Sequence, residues 1–171
     1  MNDLVCELVK EDDPFLREKP ERFDFENPQV DPEKLVEQLF ANMIHYDGIG
    51  LSANQIGIPI TAFAMNMGKN GMVVFNPEIL EWSDETTYIK EGCLSYPGLY
   101  IAVERSHSIA AKFQLYNGEV QGASFSDISA RIFQHESEHM DGDIFIDNVS
   151  NFRLKSAMKK RKQYLKKQNH N

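Results

Sequence analysis

His135, Glu136 and His139 carry the strongest chemical signal in this chain. Histidines four residues apart stand one turn apart on a helix, where both imidazoles reach one metal ion. The glutamate beside the first is placed to handle the proton of a water that the metal activates. Read alone, the pattern also arises by chance in a polar helix, so a third ligand has to decide. Cys93, between Gly92 and Leu94, offers one. On its own it would be a small buried hydrophobe. Set beside the two histidines it becomes the missing ligand, because cysteine plus two histidines leaves a tetrahedral site with one position open for water.

The elements around these residues must hold them in place. Ser126 or Asp127 caps a helix that Gly142 ends, and Ile128, Ile132, His135 and His139 share one of its faces. Upstream, Asp31 and Pro32 open another helix, whose apolar face of Leu35, Leu39 and Met43, flanked by Val36, Phe40 and Ile44, runs to about Tyr46. His45 beside it reads as a surface or structural histidine. Residues 1–30, with Pro14, Pro20 and Pro28, read as an extended arm or irregular lead-in. Three glycines in 48–57 suggest close backbone approach in a tight helix-to-strand corner. That stretch is neither a phosphate loop nor a dinucleotide fingerprint, and Gln55 is its one side chain with both a donor and an acceptor for a substrate.

Strands are expected at 58–65 and 72–75, joined by a turn at 68–71, the second stopped by Asn76-Pro77. A short extended piece falls within 78–88, where Trp82 reads as a packing residue. Residues 101–107, 109–116 and 119–125 predict an antiparallel meander turning at Asn117-Gly118 and leading into the histidine helix. A short extended connection at 143–149 then gives way to a C-terminal helix. In it Phe152, Leu154, Met158 and Leu165 are spread among basic residues, packed at the start and solvated at the end, with frayed disorder after Lys160 as the alternative.

A chain of 171 residues is long enough for one domain with a real core. We expect a catalytic unit at 1–150 and, at 151–171, a basic helix or tail of the same domain. Two cysteines imply no disulfide framework and favour a reducing compartment. The start has no signal-peptide pattern and no stretch of about eighteen apolar residues occurs, which predicts a soluble, cytoplasmic protein without a membrane partner. The net charge of -8 hides an asymmetry: eight of the eighteen Lys/Arg lie from Arg153 onward, with no Asp or Glu among them. An acidic body argues against sequence-specific nucleic-acid binding, whereas the basic tail suits a polyanionic surface.

Three motifs occur together: Gly48-Ile49-Gly50-Leu51-Ser52-Ala53-Asn54-Gln55, Glu91-Gly92-Cys93-Leu94-Ser95, and Gln134-His135-Glu136-Ser137-Glu138-His139. With Asp13-Pro14-Phe15-Leu16-Arg17 and Phe75-Asn76-Pro77-Glu78, they make nearly the whole chain resemble the peptide deformylases. The resemblance implies metal-dependent removal of the N-formyl group from the initiator methionine of nascent peptides, with formate released. It implies one divalent ion on Cys93, His135 and His139: ferrous iron in the cell, with nickel, cobalt or zinc accepted. Beside ferrous iron a thiolate also predicts oxygen sensitivity. Glu136 would move the protons, and Gln55 with the Leu94 backbone N–H would steady the formyl oxygen. The Glu91–Arg105 pair would fix the cysteine loop. Ile49, Ile128 and Ile132 would form the methionine pocket, and tight backbone around Gly50 and Leu94 would exclude larger acyl groups. Some bacterial members carry a basic C-terminal helix that docks on the ribosome, and this tail resembles it. A phage origin would place the enzyme in the host cytoplasm.

Ser52 and Asn54 depart from the usual Ala and frequent Pro of the first motif. Glu138 replaces the usual Asp on a face that orients a neighbouring group, and Tyr100 stands where many bacterial members have a basic or polar residue. The expected fold is α+β, with small mixed or antiparallel sheets around a central metal-binding HExxH helix and helices toward both termini. Two other readings remain open: an HExxH zinc protease, which the upstream cysteine fits poorly, and a catalytically silent metal-binding module that docks on ribosomes.

Overall fold

The computed structural model describes residues 4–68 and 70–168. Lys69, expected in a turn, the first three residues of the lead-in and the last three of the tail lie outside them. Among the described residues the fold is α+β, with three α-helices and seven strands in two sheets. Helix α1 spans Pro32–His45, where the Asp31 carboxylate accepts from the N–H groups of Glu33 and Lys34 and Pro32 occupies a site that needs no donor. Its face of Leu35, Leu39 and Met43 is buried against the sheet.

The five-stranded sheet has the order β1-β2-β3-β6-β7, from Gly50–Ser52, Ala62–Asn66, Gly71–Trp82, Ser108–Gln114 and Val120–Ser126. The other two strands, β4 (Thr86–Glu91) and β5 (Ile101–Ser106), form a separate antiparallel ribbon. All pairings within the sheets are antiparallel, and the parallel contact is an isolated bridge between Glu21 and Ile60. Between the sheets lies α2, Asp127–His139, which packs on β1, β2, β6 and β7 from one sheet and on β5 from the other. Ser126 takes its N-cap position without a capping side-chain bond. Helix α3, Asn151–Gln168, follows as a continuous helix rather than fraying after Lys160.

Several expectations need correction. The corner after α1 contains strand β1 and a 3-10 turn, Ala53–Ile56. Strand β2 begins at Ala62 rather than at residue 58. Strand β3 does not stop at Asn76-Pro77 but runs through it at a register shift. Asn76 takes φ +50° there, and its side chain pairs with both backbone groups of Phe23 and with Gln114, so the ladder tolerates the proline inside a bulge. The expected meander is broken because β5 pairs with β4 and not with β6. His107 makes the crossing, its N–H donating to the Glu85 carbonyl and its own carbonyl accepting from the Asp127 N–H. The connection at 143–149 is built on a turn at 145–148, closed by the Ile144 N–H on Asp147 Oδ2 and the Asp147 N–H on the Ile144 carbonyl. Trp82 is 58% exposed and is not a packing residue.

Candidate metal and active site

Helix α2 is buried on every side from Ala130 to Glu136, which is unusual for a segment carrying Arg, Gln, His and Glu. Buried polar groups need partners, and most of these have them. Arg131 donates to Glu91 Oε1, to the Val103 and Thr87 carbonyls and to Thr87 Oγ1. Gln134 donates to the carbonyls of Ser106 and Ala130. Nδ1 of His135 meets Glu91 Oε2 at 3.0 Å. The buried side-chain atoms left without a hydrogen bond on this helix are Glu136 Oε2, Ser137 Oγ and His139 Nδ1.

Cys93 lies in the loop after β4, and the structure brings it to both histidines of α2. Its Sγ is 3.5 Å from His139 Nε2, and the ligand atoms of Cys93, His135 and His139 all lie within 4.8 Å of one another. A tetrahedral ion with ordinary sulfur and nitrogen bond lengths separates two such ligands by about 3.6 Å. The Glu91 bond to Nδ1 leaves Nε2 of His135 for the cluster, as in carboxylate–histidine–metal arrangements. One soft thiolate and two imidazoles, all buried, form a donor set suited to a divalent ion.

The electrostatics also favour a cation. Burial pushes the His135 pKa down, but hydrogen bonds to Cys93 and Glu91 win and hold it up at about 10. His139 is driven well below its ordinary value by burial and by the neighbouring His135 charge. Without an ion, then, one proton sits where a cation fits, and His139 keeps its lone pair. Burial lifts the Glu136 pKa to about 7, against the pull of His135 and Arg105.

The structure pairs Glu91 with Arg105 by two bonds, at 2.6 and 2.9 Å, and adds partners that the sequence did not reveal. Arg131 is a second cation on Glu91. Its signal was a charge set between Ala130 and Ile132 in a buried stretch. Glu138 grips the other side of Arg105 at 2.8 and 2.9 Å. Burial opposes the Glu91 charge, yet bonds from His135 and Arg105 hold its pKa down at about 2.

A cavity of about 770 Å³ opens beside this centre, lined among others by Ile49, Gly50, Leu94, Tyr100, Ile128 and Ile132. Ile49 and Ile128 are half exposed, so they are wall residues and not core, whereas Ile132 is buried. The arm residues Leu8, Val9 and Lys10 form a further wall, and the Val9 N–H donates to the Gln55 carbonyl. A Cβ on Gly50 would run into Glu136 Oε1 and lie 2.9 Å from Ile132. Gln55 accepts the Ser52 N–H on Oε1 and so turns Nε2 toward Cys93 Sγ and Ser95 Oγ, at 3.3 and 3.2 Å. The Leu94 N–H, which borders the same cavity, has no partner among the hydrogen bonds of the described residues. His45 is exposed, stacked edge-on against Tyr46.

Comparison with known proteins agrees with this geometry. The family model described as Polypeptide deformylase matches residues 5–155. A peptide deformylase of Thermotoga maritima is 41% identical over 141 residues, covering 81% of this chain and 83% of the relative. The crystal structure of peptide deformylase from Thermotoga maritima superposes with a TM-score of 0.81 at 37% identity, over 85% of this chain and 98% of that one. A class I type b peptide deformylase from Acinetobacter baumannii, solved with Met-Ala-Ser bound, superposes with a TM-score of 0.79 at 28% identity, over 85% and 98%. A buried Cys/His/His cluster on a fold shared almost end to end with these relatives leads to one conclusion: the chain belongs to the peptide deformylase family.

Proposed function

We propose that this chain removes the N-formyl group from the initiator methionine of nascent peptides by metal-dependent hydrolysis, releasing formate. The observation that carries the reading is the buried Cys93–His135–His139 cluster beside the unpartnered Glu136 carboxylate in a member of the deformylase family. A divalent ion on those three ligands supplies Lewis acidity, lowering the pKa of water and polarising the formyl carbonyl. We assign ferrous iron in the cell, with nickel, cobalt or zinc fitting the same donors.

Glu136 takes the proton of the attacking water and passes it to the departing nitrogen, so that no amide anion has to leave. Burial raises its pKa above the ordinary carboxylate range, the direction that a group taking and returning a proton needs. Nε2 of Gln55 and the Leu94 N–H donate to the formyl oxygen as negative charge develops on it. Ile49, Ile128 and Ile132 receive the methionine side chain. The close approach of the Gly50 backbone to Glu136 and Ile132 supports a tight wall at the acyl group, which would admit a formyl hydrogen and exclude an acetyl methyl. Met-Ala-Ser, seen bound to the Acinetobacter relative, is what deformylation of formyl-Met-Ala-Ser would leave.

No helix among the described residues is long and apolar enough to cross a membrane. We read 151–171 as part of the same domain as 1–150, since Arg161 on α3 donates to the Pro97 carbonyl and pairs with Glu11. The exposed Lys155, Lys159, Lys160 and Lys162 then form the face that would meet ribosomal RNA phosphate.

The test is formate release from formyl-Met-Ala-Ser by protein purified anaerobically with iron or nickel, with the acetylated peptide as control. Formyl-selective release that a chelator abolishes is expected. Cleavage of an internal peptide bond would point to a protease, and no turnover at full metal occupancy to a silent binding module.

A further inference from the structure

Ser52 and Asn54 both precede Gln55 in the first motif, and the structure joins their side chains to each other. Both side chains are enclosed, Ser52 fully and Asn54 to within 1%. The Ser52 hydroxyl lies 2.7 Å from Asn54 Oδ1 and 3.0 Å from Gln55 Oε1. It has one proton to give, and Gln55 Oε1 already receives the Ser52 N–H. The proton therefore goes to Asn54, the shorter contact. With its oxygen held there, Asn54 turns Nδ2 to the carbonyl of His139, 3.2 Å away. That carbonyl belongs to the last turn of α2 and also accepts the Gly142 N–H at 3.3 Å, so Asn54 is its second donor and its link to the first motif.

We propose that Ser52 and Asn54 are a positioning pair, a strap that holds the end of α2 bearing His139 against the turn bearing Gln55. Because Gln55 reaches Cys93 and Ser95, the strap connects all three motifs through side-chain hydrogen bonds. The two members depend on each other unequally. Alanine at 52 leaves Asn54 Oδ1 buried with no donor, which is the costly kind of loss. Alanine at 54 leaves the Ser52 hydroxyl with Gln55 Oε1 still in reach but cuts the bond to the His139 carbonyl. The kinetic consequences rest on the deformylase reading, and the structural ones do not.

The experiment compares wild type, Ser52→Ala, Asn54→Ala and the double variant as full chains. In thermal unfolding of metal-free protein, each single variant lowers Tm, and the double variant lowers it by less than the sum of the two. Should Ser52→Ala fail to fold, a folded double variant is the same result in stronger form. Strictly additive Tm shifts overturn the pair. In zinc-loaded protein, Asn54→Ala speeds metal loss to a chelator by about fivefold, the worth of one hydrogen bond, and lowers kcat about as much with KM held within twofold. Metal loss and kcat both at wild-type values overturn the positioning role. A wild-type protein that releases no formate removes the deformylase reading, while the unfolding and metal-loss measurements still decide the strap.

Discussion

Glu136 shows at the scale of one residue how the role proposed for it works against stability. Its carboxylate is buried, one oxygen has no hydrogen bond, and its pKa stands at about 7 against an ordinary 4.5. An acid whose pKa is raised on folding binds its proton more tightly in the native state, so stability falls as pH rises from 4.5 through 7. Glu136→Gln removes that loss. In chelated, metal-free protein at pH 8 the variant should be more stable than wild type by up to roughly 3 kcal/mol, read from urea midpoints. The same variant, loaded with metal, should lose about 100-fold or more in kcat, the usual worth of a general acid–base group. Full deformylase activity in Glu136→Gln would remove its assigned role. Gly50 is the complementary case. A methyl there must displace Glu136 or Ile132, so Gly50→Ala should lower kcat by about 100-fold while circular dichroism shows the fold retained. Both positions stood out in the sequence because their signal is local: a motif states residue type and spacing, and these mark where to look for chemistry.

At the scale of elements the informative object is the charged cluster that joins α2 to the ribbon of β4 and β5. Glu91 at the end of β4 meets Arg105 on β5 and Arg131 and His135 on α2, and Arg105 in turn holds Glu138. Removing one charge from such a buried set leaves the others uncompensated, which typically costs about 3–5 kcal/mol, roughly what Glu91→Gln should lose in urea unfolding. Glu138→Gln should lose less, because its side chain keeps 19% exposure and water can replace it in part. Equal losses would mean that burial does not set the cost. The sequence exposed only part of this cluster. The family resemblance implied the pairing of Glu91 with Arg105, but residue pattern alone stated neither it nor Arg131, because pairing across elements depends on a topology that propensity does not state. The same blindness explains the expected meander: β5 and β6 have the pattern of consecutive strands, and only His107, bonded at once to Glu85 and Asp127, sends them into different sheets. The start of helix α1 was legible to the residue, since Asp31 caps its first backbone donors and Pro32 needs none.

Across the whole molecule the basic tail divides into cations that face inward and cations that face outward. Arg161 is buried, with Nε on the Pro97 carbonyl of the cysteine loop at 2.9 Å and a terminal nitrogen 2.6 Å from Glu11 of the arm. Arg153 lies over the Tyr88 ring. Composition counts these with the lysines, although neither is presented to a partner in the same way. Arg161 unites α3, the cysteine loop and the arm that walls the cavity, so its removal should loosen all three together. Arg161→Ala should speed amide hydrogen exchange in α3 and in residues 95–99, and lower stability by about 1–3 kcal/mol, because the Pro97 carbonyl and Glu11 are then without a buried charged donor. Charge reversal at Lys155, Lys159 and Lys162 should leave those exchange rates and hydrolysis of free formyl peptides unchanged. It should instead weaken co-sedimentation with ribosomes and flatten its salt dependence, since a tail that neutralises fewer phosphates releases fewer counterions. If the lysine reversals slowed hydrolysis of free peptide as much as Arg161→Ala does, the tail would be one undivided support for the active site, and its outward face would have no separate role in docking.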